Sequence, residues 1–114
     1  MSTVARDSTG VPFDAFNLSA GAARGMNLAV GVEQKTVALG DAGQGTQTAV
    51  LITCESATWV KSGAAPTATI DPTACTLLAP GISYYFTVGR GHKISALLHT
   101  GSPDSVISIT EFVA

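Results

Sequence analysis

SYYFTVGRGHKISALLH, running from Ser83 to His99, decides the fold. In its first half Tyr84, Phe86 and Val88 fall on one side and Ser83, Tyr85 and Thr87 on the other. A period of two belongs to a strand, not a helix. Gly89-Arg90-Gly91 interrupts the alternation, as a hairpin turn does. From His92 to His99 it resumes, with Ile94, Ala96 and Leu98 together. Upstream, Ala79-Pro80-Gly81 has proline and glycine placed as a type II turn requires.

The same reading extends in both directions. Met26–Val32 puts Met26, Leu28, Val30 and Val32 on one face, and Val37 and Leu39 repeat the pattern. Thr48–Cys54 aligns Val50, Ile52 and Cys54, and Thr58–Lys61 is a short strand carrying Trp59 and Val60. A loop at Ser62–Pro66 follows, and Thr67–Ile70 and Ala74–Leu78 flank a turn at Asp71-Pro72. After the turn Gly101-Ser102-Pro103-Asp104, the run Ser105–Val113 sets Ile107 and Ile109 opposite Val106, Ser108, Thr110 and Phe112. Turn signals about every 8–12 residues fit a sandwich, a jelly roll or a small barrel. The expectation carried forward is all-β: a single jelly-roll-like β-sandwich of about eight short antiparallel strands. Residues 26–114 form that domain, and residues 1–25 form an extended N-terminal arm with a short helical turn near Ala15–Ala23.

Composition narrows the function. The 114 residues carry 6 basic and 8 acidic side chains, a formal charge of −2. A basic nucleic-acid binder is excluded by that balance. Charged residues are 12% of the chain, about half the usual share, while 46% are hydrophobic. Ala (17), Thr (14), Gly (12) and Ser (10) together supply 53 residues. A surface built from these is a neutral coat, or it is covered by other subunits. The longest uncharged stretch, Pro72–Gly89, is broken by Pro80 and Gly81, so it predicts no membrane span. The start, MSTVARDSTG, has no apolar run of the kind a secretory signal needs.

Candidate chemistry is sparse. His92 and His99 are seven apart and no G-x-S-x-G elbow is present, so both read as surface residues. Asp7, Asp14, Asp41, Asp71 and Asp104 sit in turns or the arm, where aspartates bond local backbone. Glu33, Glu55 and Glu111 adjoin strands and are expected to pair with Lys35, Lys61 or Lys93. Cys54 and Cys75 lie outside any CxxC motif and read as reduced, at least partly buried thiols. Gly40–Gly45 and Gly89–Lys93 match no phosphate-binding motif and read as hairpin turns. The reading is therefore non-enzymatic, with no catalytic, metal or cofactor residues. Trp59 reads as core or as a subunit-contact anchor, and sugar stacking is its alternative role.

Several segments resemble small virion proteins of tailed phages, in particular head decoration (cement) proteins. The match carries Trp59, Val60 and Gly63; then Leu78, Pro80, Gly81, Phe86 and Val88; then Ile94, Ser95 and Leu97; and finally Ile107, Ile109, Thr110 and Glu111. It covers Ala49–Val113, a little over half of the chain. The resemblance implies a scaffold without catalysis, made in the host cytoplasm and placed on the capsid exterior. Its partners are the major capsid protein and further copies of itself, as trimers in preference to dimers, with no nucleic acid or membrane. The long arm with Phe13 and Phe16 departs from the pattern. It leaves open a tail-associated or head–tail joining role, and a carbohydrate- or receptor-binding module is the alternative from another class. The residues expected to touch partners are Phe13 and Phe16 of the arm, Gln44 of the 40–45 turn, Trp59, and Ala64 and Pro66 of the Ser62–Pro66 loop.

Overall fold

A computed structural model describes residues 5–6, 12–13, 19–40 and 47–113. Its strands are β1 (Ala5–Arg6), β2 (Pro12–Phe13), β3 (Ser19–Ala23), β4 (Met26–Leu28), β5 (Lys35–Ala38), β6 (Gln47–Cys54), β7 (Thr58–Gly63), β8 (Thr76–Leu78), β9 (Ser83–Gly89), β10 (Lys93–Leu98) and β11 (Ser105–Val113). β1 and β2 pair only with each other. The remaining strands make two antiparallel sheets. One runs β5-β10-β7-β8. In the other, β3 and β4 lie end to end along one edge of β11, followed by β6 and β9.

Counted from β4, the eight strands interleave as 1-8-3-6 and 2-7-4-5. That order is the double Greek key of a jelly roll. The expected all-β sandwich is thus what the chain forms. No helix among the described residues is long and apolar enough to cross a membrane.

Alternation explains the core. Val50, Ile52 and Cys54 of β6 meet Ile107 and Ile109 of β11, with Ile52 opposite Ile109. Across the sandwich stand Val60, Leu78, Ile94 and Ala96. All are buried, and the two inner faces make one apolar cluster. Truncating a side chain such as Ile109 to Ala in such a cluster costs about 2–5 kcal/mol.

Four local expectations are corrected. Strand β4 ends at Leu28, not Val32. The chain turns at Ala29–Val32, closed by Val32 N donating to Ala29 O, with Gly31 at φ +82°. That left-handed geometry favours glycine and turns Val30 outward at 63% exposure. Segment 67–70 is irregular, not a strand. Near Ala15–Ala23 the described part, Ser19–Ala23, is a strand on β11, so the sheet begins before residue 26. Just beyond it, a Cβ on Gly25 would stand 2.8 Å from the Ile107 carbonyl oxygen, so only glycine lets the edge approach so closely. Finally, the Gly89-Arg90-Gly91 turn joins no hairpin, because β9 and β10 lie in different sheets. The connection from β5 to β6 likewise crosses between sheets, and residues 41–46 of it lie outside the described chain.

Candidate functional site

The two outer faces of the sandwich differ. On the β10 sheet, Trp59 stands between Leu97 and Leu77 on neighbouring strands, opposite in direction to the core residue Val60. Segment 64–75 folds back over it. Ala68 N donates to Ser95 Oγ at 2.9 Å, and Ser95 Oγ in turn donates to Gln34 Oε1. Thr69 N donates to Cys75 Sγ at 3.3 Å. Pro66, Ala68 and Cys75 are buried beneath this cover, and Trp59 is only 6% exposed. Its indole N–H donates to His99 Nδ1 at 3.1 Å. The result is a small second core on the outside of the sheet.

On the β11 sheet the outward residues are Ala49, Leu51 and Thr53 of β6, Ser83, Tyr85 and Thr87 of β9, and Val106, Ser108, Thr110 and Phe112 of β11. None is charged. Tyr85 is 69% exposed and Val106 47%. The rings of Tyr85 and Phe112 approach to 5.8 Å between centroids. They reach each other across β6, where Ala49 faces Phe112 and leaves room. Thr53 and Ser83 share a hydrogen bond of 3.1 Å between hydroxyls. This face is the candidate functional surface: neutral, partly aromatic and uncovered by any described segment.

Between the open edges of β8 and β9 lies a cavity of about 290 Å³ with Ile52, Val60, Phe86, Val88 and Ile94 among its walls. Its lining is largely apolar, with Lys61, Ser62 and Thr76 adding polar groups.

The sequence-predicted contact residues divide accordingly. Trp59, at 6% exposure, and Pro66 are both buried within the protomer. Ala64 is exposed at the start of that segment. Phe16 and Gln44 lie outside the described residues, as does the side chain of Phe13, whose backbone pairs in β2. Tyr85, the residue most prominent on the bare face, is one the sequence placed on the polar side of its strand and named, beside Trp59, only for the sugar-binding alternative.

Several polar residues bond within the protomer. Glu111 is fully buried and accepts from Arg24 Nε at 2.8 Å, in place of the lysine partner expected for it. Asp104 caps the Ala29–Val32 turn by accepting from Val30 N at 2.7 Å. Asp71 accepts from the amide and hydroxyl of Thr73, which hold its carboxyl below the usual range. Glu55 accepts from Val106 N. Both cysteines are free and buried, as expected of reduced thiols. Burial pushes the Cys54 thiol up, away from the reactive thiolate. No group of three or more His, Cys, Asp or Glu among the described residues could hold a metal ion.

Comparison with protein families, with curated proteins and with solved structures finds no match for this chain.

Proposed function

We propose that this chain is a non-enzymatic virion structural protein that binds the major capsid protein lattice from outside, as a capsid decoration or cement protein of a tailed phage. The observation that carries the reading is the uncharged outer face of the β11 sheet. Ten outward side chains on three adjacent strands include no Lys, Arg, Asp or Glu. A soluble domain ordinarily studs such a face with charge. A face left neutral and aromatic suits burial against a matching surface, where charged groups are depleted and Tyr is enriched. A lattice presents that surface many times over, so modest affinity per contact multiplies when copies are linked. The resemblance of residues 49–113 to decoration proteins points the same way.

The test uses empty shells assembled from the major capsid protein encoded with this chain. Purified protein is titrated onto expanded shells and sedimented. Saturable binding at a fixed ratio to the capsid subunit, lost in Tyr85→Lys, is the expected result. Absence of co-sedimentation overturns the reading. Binding to glycans that is lost in Tyr85→Lys, with none to shells, replaces it with the carbohydrate-binding alternative.

A further inference from the structure

The four sheet edges are protected unequally. An unpaired edge invites another strand, and proteins guard against this with short edges, Lys, Pro or bulges. The β5 edge is four residues long and contains Lys35, and the β8 edge is three residues long. The β3–β4 edge is interrupted at Arg24-Gly25, and its pairing slips in register near Thr110. The β9 edge has none of these defences. It is seven residues long, contains no charge and no proline, and pairs with β6 in unbroken register from Gln47–Gly89 to Thr53–Ser83. Among the described residues its other side has no partner strand.

Large apolar residues are also exposed on the strands and turn at this end of the sequence. Leu77 on β8, Ile82 in the connecting turn and Tyr85 on β9 are three of the large apolar residues left to solvent. The cavity between β8 and β9 is walled on the β9 side by Phe86, Thr87 and Val88.

We infer that β9 is a strand-addition interface for a second copy of this chain, with β9 pairing antiparallel to β9 about a two-fold axis. The strand sequence SYYFTVG is self-complementary around Phe86. In the register that sets Phe86 against its counterpart, Tyr84 meets Val88 on the inner side and Tyr85 meets Thr87 on the outer side. These are aromatic and β-branched cross-strand pairs, among the stabilising kinds, and no like charges face each other. Main-chain hydrogen bonds supply affinity and the alternate side chains supply register. An axis normal to the sheet keeps both inner faces on one side. The two uncharged outer faces then join into one, and Phe86 and Tyr84 of each copy close over the mouth of the other's cavity. The inference goes beyond the decoration reading and is tested on the free protein.

The experiment is native mass by light scattering on the full chain and two double variants, Tyr85→Lys with Thr87→Lys and Tyr85→Glu with Thr87→Glu. Both positions are exposed on the outer face, so the substitutions add no buried charge. The native chain is expected at twice the monomer mass. Each variant alone sets like charges opposite at two pairs and falls twofold to the monomer. Mixing the two variants restores the doubled mass. A native monomer or trimer, variants that keep the native mass, or a mixture that stays monomeric overturns the proposal. Should the variants lose their fold, hydrogen exchange of the native chain decides: β9 amide protection that rises with protein concentration supports the interface, and protection independent of concentration overturns it. Shell binding is measured separately, so a dimer without shell binding refutes the decoration reading alone.

Discussion

The outer faces of the two sheets start from similar material and end differently. On the β10 sheet, Trp59, Ser95 and Leu97 would stand in water if the sheet were alone, but segment 64–75 covers them with Pro66, Ala68 and Cys75. On the β11 sheet, Leu51, Tyr85 and Phe112 occupy equivalent outward positions with no described segment above them. Low charge therefore has two meanings in one small molecule. Where the chain folds over itself, neutral residues are a satellite core and contribute to stability. Where it does not, they are a surface whose burial requires another molecule.

This contrast can be broken at the covered face. Trp59→Ala removes the centre of the satellite core and should destabilise the fold by about 3–5 kcal/mol, read as a lower urea midpoint. A loss below about 1 kcal/mol would mean that the cover carries no stability. Ser95→Ala removes the hydroxyl that accepts from Ala68 N and donates to Gln34. It should cost about 1–3 kcal/mol and loosen the segment selectively. Thiol labelling distinguishes the outcomes: Cys75 should react faster in this variant while Cys54, inside the sandwich, keeps its native rate.

Smaller effects sharpen the comparison. The Asp71 carboxyl is held below its usual range by the Thr73 hydroxyl and amide, with Lys61 adding attraction. A folded value lower than the unfolded one gives a contribution complete above the unfolded value, about pH 4, and lost as pH falls through the folded one. Acid titration below about pH 4 should therefore loosen segment 64–75, seen as a change in Trp59 fluorescence that Asp71→Asn abolishes. Tyr85→Ser, on the bare face, should change stability least, by less than about 1 kcal/mol, in the same urea assay. A large loss there would show that the Tyr85 face is a structural element of the protomer.

Much of the architecture was legible because period-two alternation survives wherever one strand face is buried. Thr48–Cys54, Ser83–Val88 and Ser105–Val113 needed nothing more. The same signal failed in three instructive places. Val30 and Val32 continued the alternation of Met26 and Leu28, but Gly31 bends the chain before they reach the core. Trp59 lies beside Val60, and alternation assigns them opposite faces without revealing that a distant loop buries the outer one. Glu111 pairs with Arg24 across 87 residues of sequence, a juxtaposition that only the wrapping of the sheet creates. Sheet-crossing connections looked like hairpin turns because a tight glycine turn reads the same whether its strands pair or diverge. The candidate surface was foreshadowed by the scarcity of charge, but its location depended on knowing which face the loop covers.

The junction of β4 and β11 has a kinetic consequence. Leu28 lies opposite Ser105 and Met26 opposite Ile107, so the first strand of the jelly roll is hydrogen-bonded to the last. β11 is also the central support for β3 and β6. While the chain is being synthesised, β4 has no neighbour to pair with until almost the whole domain has left the ribosome. Folding should therefore be slow for a domain of this size and wait for β11, since long-range closure precedes the contacts that reward it. Until that moment β6 and β9 wait with open edges, and the neutrality that suits the finished surface leaves the nascent chain with few charges to keep its copies apart.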